Sequence, residues 1–198
     1  GGRHLGRWAV RHWDGEADEV VLVGIARAGS IPEARMRGSL VGLHETMRGS
    51  DSIRVQHLDG DGQFGLTLDA VRRHLRITKA KRILVAAATD PSAIGALRAF
   101  QEAGRGPDCA VVGHNADQEG RAELREARTR MIGSVAYFPE RYGPGVVRLA
   151  MDLLAGKPVP PAVFIKHQVV SPESVDHHYP NDALVGACGS RNEEAEYD

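Results

Sequence analysis

Cysteine is nearly absent from this chain. Its only two, Cys109 and Cys188, form no CxxC pair, which argues against a structural zinc site. Cys109 opens an apolar, strand-like run and reads as a small buried hydrophobe; nothing in the spacing supports a disulfide to Cys188. An excess of charge of one sign is missing too. The 25 Lys and Arg are matched by 26 Asp and Glu, and the arginines are spread along the chain beside acids. That distribution lacks the basic stripe of a nucleic-acid-binding surface. No apolar run is long enough to span a bilayer. The chain has neither an initial Met nor a signal-peptide core, and its opening Gly1-Gly2-Arg3 reads as the middle of a longer protein.

Signatures of catalysis are equally scarce. Gly24-Ile-Ala-Arg-Ala-Gly29-Ser30 has the glycine spacing of a phosphate loop without its Lys, and it carries no G-x-G-x-x-G fingerprint. A G-x-S-x-G elbow does not occur. Of nine histidines, only His177 and His178 are adjacent, and neighbouring side chains on a strand or loop diverge too far to chelate. Asp59 and Asp61, in a Gly-rich turn, cannot alone fill a cation's coordination shell and read as turn residues. Neither a metal site nor a cofactor is expected, and the chain is not expected to be an enzyme.

What is present is a repeated alternation. Leu5, Trp8, Ala9 and His12 predict a helix over 3–13, which Asp14-Gly15 can stop. Apolar runs predict strands at 19–25, 82–88, 109–113 and 131–136, and alternation predicts one at 52–58. Helices are expected at about 33–47, ended by Gly49, around Leu68, Val71 and Leu75, and at 91–103 and 118–130. Another is expected to open at Pro139, with Val147, Ala150, Met151 and Leu154 on one face and Gly156 closing it. Asp90 is the N-cap candidate of the 91–103 helix, with Pro91 at its first position and Gly104 at its end. Residues 163–165 and 168–170 are expected to form a final strand, and 183–198 a poorly ordered tail. The fold class is α/β, a doubly wound parallel sheet.

Polar residues recur where these strands end. Arg35 lies early in the helix after the first strand, and its fork suits vicinal hydroxyls, a carboxylate or a phosphate; taken alone it reads more readily as a solvated helix residue. Thr89 and Asp90 follow the 82–88 strand and could be a cap or ligand groups. Asn115 both donates and accepts. Tyr137 offers a flat apolar face with a polar tip, or simple core packing. Arg35, Asp59, Thr89, Asp90, Asn115 and Tyr137 all fall at or just beyond strand C-termini, which share one edge of a parallel sheet. Together they describe a site for a sugar- or polyol-like ligand, with no activated nucleophile beside it.

These segments resemble a known family. Ala34-Arg-Met-Arg-Gly38, Thr89-Asp-Pro-Ser-Ala-Ile-Gly-Ala-Leu-Arg98, Val111-Val-Gly-His-Asn115 and Ser134-Val-Ala-Tyr-Phe-Pro-Glu140 carry the likeness. So do Leu154-Ala-Gly-Lys-Pro158 and Val170-Ser-Pro-Glu-Ser-Val-Asp-His-His-Tyr-Pro180. The chain resembles, over about residues 1–182, the type I periplasmic sugar-binding proteins of ABC transporters, the ribose-binding group. The ligand domains of lac-repressor-type regulators are related to these.

The resemblance implies two α/β lobes joined by three hinge strands around the ligand. Residues 1–136 would be the second lobe, and 137–161 a crossing and a helix belonging to the first. Residues 162–182 would be the hinge return. Most of the first lobe, on the order of a hundred residues, would lie outside this chain, leaving the 139–155 stripe to seek a substitute partner or a second copy. The implied function is the substrate-binding component of a sugar transporter, periplasmic or lipid-anchored outside the cytoplasm, docking on a membrane permease. Lobe closure would trap the ligand. The alternative is the effector-binding domain of a transcription regulator, whose DNA-binding segment would precede Gly1. An enzyme on a similar sheet is a third option. Thr89-Asp90 replaces the family's usual Asn-Asp, Asn115 stands where Asp is common, and Tyr137 where Gln or Asn is. Gly60 sits near a position that is often aromatic. These departures argue against plain ribose or galactose.

Overall fold

The computed structural model describes residues 1–13, 17–47 and 53–182. Five strands run parallel: β1 (Glu19–Gly24), β2 (Arg54–Asp59), β3 (Ile83–Ala87), β4 (Cys109–Asn115) and β5 (Met131–Ala136). A sixth, β6 (Gln168–Val170), pairs antiparallel with β5, and the spatial order is β2-β1-β3-β4-β5-β6. The helices are α1 (Gly2–His12), α2 (Ser30–His44), α3 (Phe64–Leu75), α4 (Asp90–Glu102), α5 (Gln118–Arg125), α6 (Gly143–Leu154) and α7 (Val175–His178). After β1 the chain adds β2 on one side, then returns to add β3 on the other. The strand order therefore reverses between β1 and β3, and a crevice opens there in such sheets.

Successive strand residues point to opposite faces. Val20, Leu22, Leu84, Val112 and Val135 pack against Leu5 and Ala9 of α1 and Met36 and Leu43 of α2. Val21, Val23, Val85 and Val111 pack on the other face against Val71, Ala96, Leu97, Phe100 and Leu124 of α3, α4 and α5. Both faces of β1, β3 and β4 are covered, which is why these strands read as unbroken apolar runs. β2, at the edge, is half-exposed and alternates. At the N-terminal end of the strands the buried Glu19 carboxylate is bonded to His74 and accepts from the Thr78 hydroxyl at 2.7 Å.

The contact between α1 and α2 sets where α2 lies over the sheet. A Cβ on Gly6 would lie 1.9 Å from the Ser39 carbonyl oxygen, and one on Gly42 would lie 2.0 Å from that of Arg3. The two helices meet backbone to backbone, at a distance only glycine permits. Trp8 anchors α1 from its other side, with Nε1 donating to the Ile132 carbonyl at 3.1 Å.

Several boundaries differ from expectation. The sheet is mixed, not wholly parallel. Val163, Phe164 and Ile165 belong to no strand and are exposed; only 168–170 pairs. The chain leaves β5 at its C-terminal end and comes back from that side, so the returning strand must run antiparallel. α2 begins at Ser30, because Pro32 is tolerated in a first turn whose N–H groups need no intrahelical partner. It ends at His44. α5 stops at Arg125, and Arg128 takes a left-handed backbone (φ 66°) just beyond. Pro139 opens a 3-10 turn, and α6 starts at Gly143. No residue of α6 is buried, and Val147, Met151 and Leu154 stand exposed. Asp90 is not the cap of α4: the Thr89 hydroxyl accepts from Ser92 N, and Asp90 turns inward. Asp14-Gly15, Gly49, Ser52, Cys188 and the tail 183–198 lie outside the described residues.

Gly6→Ala is expected to destabilise the chain by about 1–3 kcal/mol, as overpacking does where backbone cannot yield. Urea unfolding checks this, and unchanged stability would mean that α1 and α2 can part.

Candidate functional site

Three of the six residues singled out by sequence meet directly. Arg35, in the second turn of α2, sits beyond the end of β1 and reaches across the point where the strand order reverses. Its Nη1 donates to the Ala88 carbonyl at 2.7 Å and to Asn115 Oδ1 at 3.1 Å. Its guanidinium carbon lies 5.2 Å from the centre of the Tyr137 ring, within cation–π range. A helix residue, the end of β3, the end of β4 and the residue after β5 are thus held in one cluster. Burial raises the Tyr137 hydroxyl pKa above its ordinary value, and the Arg35 charge opposes that rise.

The other three are placed differently. Thr89 adjoins Ala88, but its hydroxyl is committed: it caps α4 and donates to the Gly62 carbonyl at 3.3 Å. Asp59 lies at the end of β2, outside the Arg35 cluster. Its Oδ1 accepts from Asp61 N at 2.9 Å and Ala26 N at 3.3 Å, so it ties the 59–62 turn to the loop after β1. Arg27 pairs with Asp61 across the same gap. Asp90 is fully buried beneath the rim, out of a ligand's reach, where its carboxylate accepts from the Ser134 hydroxyl at 2.6 Å and from Asp117 N at 3.0 Å. Burial, helped by the Asp117 charge and opposed by the Ser134 hydrogen bond, pushes the Asp90 pKa up to about 7.

Asn115 occupies an unusual backbone. Its φ is 111°, and Ala116 follows at 48°, so two consecutive residues with side chains take left-handed conformations. Each such residue costs on the order of 1–3 kcal/mol and persists only where its surroundings fix it. His114, one residue earlier, reads in the sequence as part of a polar strand end. It is fully buried against the α1–α2 side, with Nδ1 2.9 Å from the Ala87 carbonyl oxygen. Its Nε2 finds no hydrogen-bond partner. Burial drives its pKa down to about 3, against the raising effect of the Ala87 carbonyl, so it is neutral at pH 7. It places an uncharged ring, not a second cation, beside Arg35. Strand alternation was the signal: two positions after Val112, it had to face the same apolar layer.

Gly60-Asp-Gly62-Gln-Phe-Gly65 carries a G-x-G-x-x-G spacing between β2 and α3 that sequence reading missed. A pyrophosphate fits it poorly. Asp59 and Asp61 crowd the turn with negative charge, and Gly60 is needed instead for close approach, since a Cβ there would lie 2.0 Å from Thr67 Oγ1. Two open depressions flank the Arg35 cluster. One, of about 470 Å³, is lined by Gly24, Ile25, Glu33, Met36 and Asp59. The other, of about 560 Å³, is lined by Tyr137, Tyr142, Val146, Leu149 and Phe164. Neither encloses the cluster; the rim is an open surface. Among the described residues no group of three or more His, Cys, Asp or Glu is placed to hold a metal, and no helix is long and apolar enough to cross a membrane.

No protein-family model and no curated protein matches the sequence. Solved structures do match. An ABC transporter periplasmic solute-binding protein from Actinobacillus succinogenes with bound D-allose is 18% identical, with a TM-score of 0.77 over 89% of this chain and 60% of that one. An ABC transporter solute-binding protein from Bacillus halodurans with bound myo-inositol is 17% identical, with a TM-score of 0.71 over 91% of this chain and 61% of that one. A galactofuranose-binding protein is 19% identical, with a TM-score of 0.73 over 93% of this chain and 62% of that one. The chain therefore spans about three-fifths of the length of these structures, and it carries the α/β fold of periplasmic solute-binding proteins.

Proposed function

We propose that this chain is the larger part of the substrate-binding component of a sugar-type ABC transporter, and that it grips a small polyhydroxylated ligand when two lobes close. The observation that carries this is the Arg35 cluster. Nη1 is held by the Ala88 carbonyl and Asn115, and the Tyr137 hydroxyl also bonds the guanidinium, so the donors a pair of vicinal hydroxyls would meet are those these partners leave over. Tyr137 supplies an aromatic face beside it, suited to the C–H face of a sugar ring. Thr89 and Asp59 stand on the flanks of the same rim. D-allose and myo-inositol, bound by two proteins of this fold, are a sugar and a polyol that carry the vicinal hydroxyls such a fork would meet.

The open rim supports a two-lobe reading. On this division, residues 1–136 form one lobe, 137–161 cross to the other, and 162–182 return through a hinge. The exposed stripe of α6, with Val147, Met151 and Leu154, would then pack against the other lobe, or against a second copy where that lobe is absent. Closure draws its energy only from the ligand's preference for the closed form. Ligand capture here needs no catalytic step. A membrane permease outside the cytoplasm would receive the closed protein.

A thermal-shift and calorimetric screen of the intact protein against D-allose, myo-inositol and related sugars and polyols tests this. A ligand is expected to bind, and Arg35→Ala is expected to weaken it by about tenfold or more, equivalent to about 1.4 kcal/mol, with the melting temperature nearly unchanged. Unchanged affinity would remove Arg35 from the site. The 198-residue chain alone should bind the same ligand far more weakly than the intact protein; equal affinity would refute the two-lobe division.

A further inference from the structure

Asn115 can meet Arg35 only because the chain departs from strand geometry. In a regular strand, Asn115 would share the face of Gly113, which lies against α4: a Cβ on Gly113 would stand 2.2 Å from Asp90 Oδ1. Arg35 belongs to α2, on the opposite face. Rotation about the Asn115 N–Cα bond, to φ 111°, swings the amide to the strand end instead. Ala116, at φ 48°, then carries the chain into α5. Neither conformation is intrinsic to these residues, so something must hold them.

The holding groups converge on one carboxylate. Asp90 Oδ2 accepts the Asp117 N–H at 3.0 Å. Asp90 Oδ1 accepts the Ser134 hydroxyl proton at 2.6 Å. With its proton committed there, Ser134 Oγ offers a lone pair to the Ala116 N–H at 3.0 Å. Two consecutive backbone N–H groups are thus satisfied by one acid, directly and through one hydroxyl. The turn is also gripped from the far side, where Arg121 Nη1 donates to the Ala116 carbonyl at 2.7 Å. The carboxylate itself cannot shift freely, because Gly113 and Gly120 are both packed against it; a Cβ on Gly120 would lie 2.4 Å from Oδ2.

We propose that Asp90 is a positioning residue for ligand recognition: its buried carboxylate, acting through Ser134 and the Asp117 amide, holds the 115–117 turn and so presents the Asn115 amide to Arg35 and to the bound sugar. This rests on the sugar-site reading for its mention of a ligand, but not for the clamp. Asp90 touches no ligand. Protonation, or replacement by Asn, puts a donor where the clamp needs two acceptors: turned toward Ser134 it reverses that hydrogen bond and strands the hydroxyl proton, and turned toward the Asp117 N–H it sets donor against donor. Because burial has raised the Asp90 pKa to about 7, the clamp exists in both states near neutral pH. Asp117 is the nearby carboxylate whose charge favours the protonated form.

The test is NMR on the full chain without ligand, using wild type, Asp90→Asn and Ser134→Ala. In wild type the Asn115 side-chain amide resonance is expected to titrate with a midpoint at about 7, and in Asp90→Asn to lose that titration. Amide exchange at Ala116 and Asp117 should quicken by about tenfold in both variants while Val85 and Val111 stay protected. Ser134→Ala removes only the relay and leaves Asp90 in place, so it decides the matter if Asp90→Asn does not fold. A wild-type Asn115 signal that does not move with pH, an identical titration in Asp90→Asn, or unchanged exchange in Ser134→Ala would overturn the proposal. Sugar affinity is a separate axis. If wild type binds no sugar or polyol, the transport function fails, and the Asn115 resonance still decides the clamp.

Discussion

A guanidinium can discriminate a pair of oxygens only if the fork itself does not wander. Here its freedom is removed in two steps. Glycines at the crossing of α1 and α2 let the helices touch through their backbones, which sets the height and roll of α2 over the sheet. The Ala88 carbonyl and Asn115 then take one nitrogen of Arg35, and the Tyr137 ring lies beside its plane. The cluster at the strand ends depends on that side chain, which joins a helix, two strand ends and an aromatic ring.

The charge balance beneath the rim serves the same end. A cationic His114 beside Arg35 would repel it and bury an unpaired charge; burial keeps the ring neutral. Asp90 lies deeper on the opposite side of the sheet and spends its oxygens on backbone and hydroxyl protons instead of on arginine. Arg35 is therefore left with neutral partners on the protein, an amide, a carbonyl and a ring.

Much of this was legible in the sequence, and the parts that were not share a cause. Unbroken apolar runs such as Glu19–Gly24 and Ile83–Ala87 announce strands covered on both faces, and their regular spacing predicts the order of helices between them. The common rim of Arg35, Asn115 and Tyr137 followed from topology alone. Direction of a side chain did not. Asp90 looks like a cap or a ligand group in the string Thr89-Asp-Pro, and only three-dimensional packing against Gly113 and Gly120 turns it inward. Asp59 likewise becomes a brace for its own turn. Residues 163–165 satisfied every local rule for a strand yet have no neighbour to pair with, because pairing depends on where α6 delivers the chain.

The manner in which the chain leaves and re-enters the sheet has a mechanical side. It exits from the end of β5 and comes home into the adjoining, oppositely directed β6, so both connections to the distal part emerge at the same edge. Only three residue pairs join these two strands. Both connections therefore share any load placed on the distal part, and the returning strand is the one joined to the sheet by the fewest pairs. What keeps that short strand in place lies at its end and beyond it: Val170 and Val175 are buried, and Asp182 pairs with Arg121 and Arg125 of α5, so the segment after the return is moored to the body of the fold.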